Sequence, residues 1–262
     1  MPIGQNRLGV LFLFRPILAC FTILYLRPFI FINNTVSKKK LQKFADIAQM
    51  PNVFQCSSWH DTHLNDHEGK AVNYSGRWAA DVFSNSNPIC LELACGYGEY
   101  TVALAARSPQ CNFIGIDIKG NRIWRGASQL LAQGLGNGAF VRTAINLLPR
   151  FFGKDEIAEM WITFPDPHLQ AGKHKKRLTS AYFLGLYRQC MPQGGVIHLK
   201  TDSTPLYEYT LETIAAEQCT LLANVFDIAQ SNYPEPLLQI KTRYEGLNIS
   251  RADSIKYIKF SL

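Results

Sequence analysis

Several acidic residues stand where apolar runs of the chain end. Asp117, Asp166 and Asp202 each follow such a run, and Glu92 lies inside another one. In open α/β sheets, ligands bind outside the carboxyl ends of the strands. Acids at several strand ends therefore predict a binding site at one edge of a sheet, for a ligand that carries hydrogen-bond donors or positive charge.

Asp166 is followed by a dense group of cations. Pro165 and Pro167 must end the apolar run that begins at Met160, because proline cannot donate to a sheet ladder. The cations beyond it are Lys173, Lys175, Lys176 and Arg177, with His174 among them. A run of this kind is often only a solvated surface. Beyond a ligand-binding edge it favours phosphate contacts that position a nucleic acid.

The run Ile89–Ala94 opens into the turn CGYGEYT, and it predicts a strand, a tight turn and a helix. Gly96 and Gly98 allow the backbone to approach a ligand, and the following helix directs its amino end at the same place. A dinucleotide fingerprint would have glycine at Thr101. Glu92, inside the strand, needs a donor, because an unpaired buried carboxylate is costly. The sulfonium and amino groups of S-adenosylmethionine would supply one, and so would a neighbouring lysine or backbone amide.

The next apolar run, 112–117, ends at Asp117, nineteen residues beyond Gly98. A carboxylate at this position can accept both hydroxyls of a ribose. The alternative is that Asp117 only caps the following helix, predicted over 121–133. With a third strand over 139–144, the segment forms a β-α-β-α-β unit that has a nucleoside site at its strand tips.

The rest of the chain continues the alternation of helices and strands. We predict helices over 180–190 and 206–219, and strands over 196–202, 221–228 and 255–260. The 262 residues suit one α/β domain with a sizeable core. The formal net charge of +7 favours an anionic partner.

The cysteines and histidines give no sign of a metal or disulfide framework. Seven cysteines are scattered without CxxC pairs, which favours a reducing cytoplasm. His60, His63 and His67 have a spacing that fits one helical face, but the surrounding Asp, Asn and Gly residues favour an exposed loop over a metal site.

Residues 1–35 differ from the rest of the chain. The run from Leu8 to Ile32 is apolar, but Arg15-Pro16 and Arg27-Pro28 interrupt it, and its longest piece is too short to span a bilayer. A signal peptide would lack a clear small-residue cleavage site. Our hypothesis is an upstream start artefact, with Val36 as the true initiation codon. Loss of the three arginines of 1–35, with no acid, would take the charge from +7 to +4.

From about Val36 to its end, the chain resembles the bacterial tRNA (guanine-N7-)-methyltransferases. The motifs that carry the resemblance are LELACGYGEYT, FIGIDIKGNRIW, FPDP with KKRL, LKTD and TRYE. It implies transfer of a methyl group from S-adenosylmethionine to N7 of a guanine in the tRNA variable loop. The implied fold is a doubly wound, mostly parallel, seven-stranded sheet of the Rossmann-like methyltransferase type, with a reversed last strand. We predict a non-native or disordered apolar extension over 1–35, a basic arm and loop over 36–75 and a methyltransferase domain over 76–262.

The resemblance also assigns site residues. It implies cofactor contacts at Glu92, Asp117, Thr143 and Asp166, with Asp166 as the catalytic candidate. It implies substrate contacts at Asp202, Thr242, Arg243, Tyr244 and Glu245. The chain departs from the family at His168 and Gln170, where tryptophan and lysine are usual, and at Thr143, where aspartate is common. Lys173 could replace the cation that Gln170 lacks.

Two other classes of protein fit less well. A nicotinamide-dependent reductase is disfavoured by Thr101. A noncatalytic RNA-binding module would explain the basic loop but would leave Glu92 and Asp117 without partners. No feature of the sequence specifies an oligomeric state.

Overall fold

The computed structural model describes residues 38–170, 172–242, 245 and 254–262. These residues belong to one compact unit. The proposal about residues 1–35 lies outside the described residues. None of the described helices combines the length and the hydropathy that crossing a bilayer requires.

The described strands follow the apolar runs of the sequence. In chain order they are β1 Val53–Gln55, β2 Leu64–Asn65, β3 Ala71–Val72, β4 Ile89–Leu93, β5 Asn112–Asp117, β6 Gly138–Arg142, β7 Ile157–Thr163, β8 Val196–Thr201, β9 Thr220–Val225 and β10 Lys256–Ser261. Every residue of β4 and β5 is buried. This is expected of parallel strands that are covered by helices on both faces.

The described helices alternate with these strands. They are α1 Lys38–Ile47, α2 Trp78–Asp81, α3 Glu99–Arg107, α4 Gly120–Ala132, α5 Leu148–Phe151, α6 Ala181–Tyr187 and α7 Thr204–Ala216. Short 3-10 turns cover Ile145–Leu147, His174–Lys176 and Pro236–Gln239. The helices predicted over 121–133, 180–190 and 206–219 are confirmed, with ends displaced by a few residues.

All described strands lie in one sheet, in the order β3-β2-β1-β6-β5-β4-β7-β8-β10-β9. From β6 to β8 the neighbours are parallel, and β10 is antiparallel to both β8 and β9. The mostly parallel α/β sheet with a reversed last strand is therefore confirmed. Because β4 to β8 run in one direction, their carboxyl ends form a single edge.

The strand count of seven is wrong, because β1, β2 and β3 extend the sheet beyond β6. β1 pairs in parallel with β6, and β2 and β3 continue as antiparallel neighbours. The described part of the expected basic arm and loop, residues 38–75, therefore contributes strands to the sheet and a helix that packs against α4. α1 packs on α4, where Trp124 Nε1 donates to Asp46 (2.8 Å). Strands of two or three residues have too little alternation to be recognised in the sequence.

Candidate active site

The turn between β4 and α3 adopts a left-handed backbone at three positions. Ala94 and Gly96 both have a φ of 56°, and Gly98, the N-cap of α3, has a φ of 73°. Left-handed backbone is costly for a residue with a Cβ, so Ala94 stores strain of about 1–3 kcal/mol. Such strain is concentrated at ligand sites and active sites.

The ring of Phe140, on β6, lies directly beneath this turn. A Cβ added to Gly98, Gly115 or Gly126 would lie 2.5 Å from a ring carbon of Phe140. Real Cβ atoms essentially never approach that closely. The three glycines therefore let β5, α4 and the turn converge on one aromatic ring.

Asp117 ends β5 beside the turn. Its carboxylate accepts the backbone N–H of Gly96 (2.9 Å) and that of Lys119 (2.8 Å). Lys119 is the N-cap of α4, so Asp117 does not cap the helix. A carboxylate can accept about four hydrogen bonds. After these two it retains the capacity to accept two ribose hydroxyls.

Glu92 is buried in β4 and has donors within the protein. One oxygen accepts the N–H (2.7 Å) and the hydroxyl (2.5 Å) of Thr101, and the other accepts the hydroxyl of Thr163 (3.2 Å). Burial raises the pKa of Glu92 to about 7, although these hydrogen bonds oppose the rise. The sequence left three donors open for Glu92: the cofactor, a lysine or a backbone amide. In the structure the donors are the backbone amide of Thr101 and its hydroxyl.

Thr143, after β6, has an unsatisfied hydroxyl. The residue is 3% exposed, and its Oγ1 has no hydrogen-bond partner among the described residues. Thr143 lines a slot of about 280 Å³ together with Ile118, the residue after Asp117, and with Ala144 and Leu147. A buried hydroxyl at the wall of a slot of this kind is available to a water molecule or to the polar edge of a ligand.

The loop that carries Asp166 is bounded by two residues in left-handed conformation. Phe164 has a φ of 47° and His168 a φ of 44°. Asp166 Oδ1 accepts the backbone N–H of His168 (3.0 Å), and the ring Nδ1 of His168 lies 3.6 Å away. The side chain of Asp166 is 73% exposed. The loop thus presents an acid to solvent beyond β7, at the same sheet edge as the turn after β4.

The basic loop divides into exposed cations and one cation that is held within the protein. Lys173, Lys175 and Lys176 are exposed at the 3-10 turn. Arg177 instead donates from Nε to the carbonyl of Pro167 (2.9 Å), and its guanidinium lies 4.3 Å from the ring centre of Tyr209. The guanidinium of Arg177 thus braces the Asp166 loop, and its role as a phosphate contact stays a prediction.

Lys200 is a functional candidate that the sequence analysis missed. Its buried Nζ contacts Glu245 Oε1 (2.9 Å) and Tyr100 Oη (3.1 Å), and it donates to the carbonyls of Leu238 and Ile240 (both 3.0 Å). Burial lowers the pKa of Lys200, and the charge of Glu245 opposes this. The sequence does contain a signal for this group, because Lys200 lies inside the apolar run of the LKTD motif and a buried ammonium requires partners.

The other tail residues predicted to contact substrate lie around this ion pair or beyond the described residues. Glu245 Oε2 accepts the N–H (2.9 Å) and the hydroxyl (3.2 Å) of Thr242. Asp202 follows β8, and its carbonyl accepts Lys256 Nζ (3.2 Å). Arg243 and Tyr244 lie outside the described residues. His60, His63 and His67 lie around β2 and not on a helix, and no group of three metal-ligating side chains occurs in the described part of the chain.

Comparisons with known proteins agree with this architecture. The solved 16S rRNA methyltransferase KamB matches 74% of this chain and 96% of its own, with a TM-score of 0.54 at 14% identity. At that identity the likeness shows the fold alone. A family model described as "Putative methyltransferase" matches residues 86–257. The fold and this match define a methyltransferase with a Rossmann-like sheet.

Curated relatives define the family more narrowly. A tRNA (guanine-N(7)-)-methyltransferase of Bacteroides thetaiotaomicron is 43% identical over 227 residues, which cover 87% of each chain. One of Porphyromonas gingivalis is 50% identical over 188 residues, covering 71% of this chain and 76% of the relative. The chain belongs to the tRNA (guanine-N(7)-)-methyltransferase family.

Proposed function

We propose that this protein transfers a methyl group from S-adenosylmethionine to N7 of a guanine in tRNA, in the variable loop. The observation that carries the proposal, beside the family, is the position of two acids around the central turn. β4 lies between β5 and β7 in the sheet, so Asp117 and Asp166 flank the turn after β4. In this assignment Asp117 binds the nucleoside of the cofactor and Asp166 the target base.

The residues present fit S-adenosylmethionine. The turn is open at Gly96, where an added Cβ would meet only the carbonyl oxygen of Ala94 at 4.0 Å. Asp117 has acceptor capacity for a ribose, and Thr143 Oγ1 lacks a partner among the described residues. The carboxylate of Glu92 accepts the N–H of Thr101 in the first turn of α3. We therefore assign Glu92 to the cofactor site as the residue that holds the glycine turn in place. When bound, the cofactor supplies an electrophilic methyl group on a sulfonium sulfur.

The task of the protein is mainly to position the guanine. N7 already has an in-plane lone pair, so no side chain has to remove a proton before attack. What is required is in-line placement of N7 against the methyl group. The methylated purine becomes cationic, and Asp166 can stabilise that charge as it develops or orient the base by accepting a hydrogen bond.

Exposed lysines support tRNA as the partner. Lys173, Lys175 and Lys176 stand in the loop that follows Asp166, where phosphate contacts would fix the register of an RNA. Asp202, Thr242 and Glu245 stay assigned to the substrate side through the family motif. A tRNA substrate and the six free cysteines of the described residues both support a cytoplasmic location.

Mass spectrometry of the nucleosides of tRNA, after incubation with protein and S-adenosylmethionine, tests the proposal. We expect 7-methylguanosine from the wild type. We expect Asp166→Ala to reduce turnover by roughly 10²-fold at saturating tRNA and cofactor, as for the loss of an interaction made in the transition state. Absence of 7-methylguanosine from wild-type reactions would refute the proposed activity.

Asp166→Asn separates the two roles of this acid. Asparagine keeps an oxygen that can accept from His168, so turnover should largely survive if Asp166 only orients the base, and it should fall if the charge is needed. Asp155→Asn is the matched control, because Asp155 is also an exposed aspartate but precedes β7 at the other end of the strand. Turnover of Asp166→Ala equal to that of Asp155→Asn would contradict the role of Asp166.

A further inference from the structure

The slot beside Asp117 has a wall that does not belong to the nucleotide-binding unit. Ile118, Thr143, Ala144 and Leu147 follow β5 and β6, but the slot is also lined by residues 56–59, which follow β1. β1 is one of the additional strands beyond β6. A segment outside the β-α-β-α-β unit therefore completes this slot.

Residues 56–59 are held in place by hydrogen bonds at both ends. The N–H of Cys56 donates to the carbonyl of Arg142 (3.0 Å) at the β6 side. Arg150 Nη1 donates to the carbonyls of Trp59 (2.6 Å) and Asp61 (3.2 Å), and the N–H of Ser58 donates to Asp61 Oδ2 (2.7 Å). A segment fixed in this way can act as a defined wall.

Large apolar side chains are exposed at this slot. Trp59 is 63% exposed and Ile118 is 57% exposed. Single exposed apolar residues are ordinary. Here two of them line the same slot as Thr143, whose buried Oγ1 has no partner in the described part of the chain. Apolar surfaces together with one polar group at the edge suit a flat heteroaromatic ring.

We propose that Trp59 forms a wall of the adenine pocket, so that residues 56–59 position the purine of S-adenosylmethionine. The inference rests on the proposed function, in which Asp117 binds the ribose of the cofactor. Ile118 follows Asp117 directly and lines the slot, so the base attached to that ribose would lie in the slot. Aromatic side chains bind bases through their faces. Trp59 thereby makes β1 and its following segment part of the cofactor site.

Calorimetric titration with S-adenosylhomocysteine, which is not turned over, tests the role of Trp59. We expect Trp59→Ala to weaken binding by about 5- to 150-fold, the range for removal of one aromatic side chain that stacks on a base. Trp59→Phe should restore most of the affinity. Binding of 5′-methylthioadenosine should weaken by the same factor, because that ligand keeps the nucleoside and lacks the amino-acid part. Tyr182→Ala, at another exposed aromatic residue, should bind both ligands as the wild type does.

Tryptophan fluorescence gives a second measurement that does not need the Ala variant to fold. Trp59 is the most exposed of the four tryptophans, so S-adenosylhomocysteine should quench the wild type, and Trp59→Phe should lose that quenching while it still binds by calorimetry. Unchanged affinity of Trp59→Ala, or equal quenching in Trp59→Phe, would overturn the inference and leave the proposed function standing. A wild type that fails to bind S-adenosylhomocysteine would overturn both.

Discussion

At the scale of single residues, the acids at the strand tips have different environments. Glu92 is buried and bonded to Thr101, Asp117 is held by two backbone N–H groups, and Asp166 is largely exposed. The sequence predicted that Glu92 needs a donor. It does not specify which donor, because the contact between Thr101 and Glu92 depends on how α3 leaves the turn.

Asp117→Ala should weaken the binding of S-adenosylhomocysteine by roughly 1–3 kcal/mol, because the variant cannot make two charge-assisted hydrogen bonds to the ribose. The measurement is a calorimetric titration of a variant whose circular dichroism matches the wild type. Unchanged affinity in a folded variant would remove Asp117 from the cofactor site.

The raised pKa of Glu92 makes stability depend on pH. Its ordinary pKa is 4.5, and burial raises it to about 7 in the folded protein. Between these values the folded state binds more protons than the unfolded state, so the free energy of unfolding falls as pH rises. A displacement of this size corresponds to about 3 kcal/mol.

Glu92→Gln should remove this dependence, since glutamine does not titrate. As pH rises from 4.5 to about 8, the free energy of unfolding of the wild type should fall by about 3 kcal/mol relative to that of the variant. The measurement is urea denaturation of both proteins across this range. A stability difference between variant and wild type that stays constant with pH would show that Glu92 is not displaced from its ordinary pKa.

At the scale of elements, the long apolar strands were predictable and the short ones were not. The predictions of β4 and β5 rested on runs of five and six buried residues. By contrast, β2 and β3 have two residues each, and their place depends on hairpin pairing with β1. The Lys200–Glu245 pair also escaped prediction, since it joins a strand to a tail 45 positions further along the chain.

Lys200→Met should destabilise the protein by about 3–5 kcal/mol, because it leaves the carboxylate of Glu245 without its ammonium partner. The double variant Lys200→Met/Glu245→Gln should be destabilised by less than the sum of the two single variants. The difference, which is the coupling energy, should be at least about 1 kcal/mol. The measurement is a double-mutant cycle by urea denaturation.

The exposed pair Arg188–Glu217 (2.8 Å) is the matched control for this cycle. Its coupling should fall below about 1 kcal/mol, because solvent screens exposed ion pairs. Equal coupling energies for the two pairs would show that burial adds nothing to the contact between β8 and the tail.

At the scale of the whole molecule, the charge of +7 agrees with an anionic partner but does not locate the contact. In the structure, the cations near Asp166 differ in availability. Lys173, Lys175 and Lys176 are exposed, whereas Arg177 is held by the carbonyl of Pro167. Composition could predict the partner, but only the backbone course of the loop separates these side chains.

Joint replacement of Lys173, Lys175 and Lys176 by alanine should weaken tRNA binding and flatten its salt dependence. The log-log slope should fall by about 0.7–0.9 for each phosphate that the variant no longer neutralises. Turnover at saturating tRNA should largely survive, because these residues hold the RNA and not the methyl group.

Lys154→Ala serves as the control for a single Lys175→Ala change, since Lys154 is also exposed but precedes β7 at the other edge of the sheet. Its slope should match that of the wild type. Equal slopes for Lys154→Ala and Lys175→Ala would argue against a phosphate contact in the loop after Asp166.

The ring of Phe140 beneath the cofactor turn has a consequence for how the sequence can drift. Gly98, Gly115 and Gly126 each leave the space that this one ring fills, so none of them can acquire a side chain while Phe140 stays. Among homologues, alanine at 115 or 126 is therefore expected only together with a smaller residue at 140. The four positions should be inherited as a block. Loss of the ring alone would not free Gly98, which has a φ of 73°, or Gly126, where an added Cβ would still lie 2.8 Å from the backbone oxygen of Tyr97.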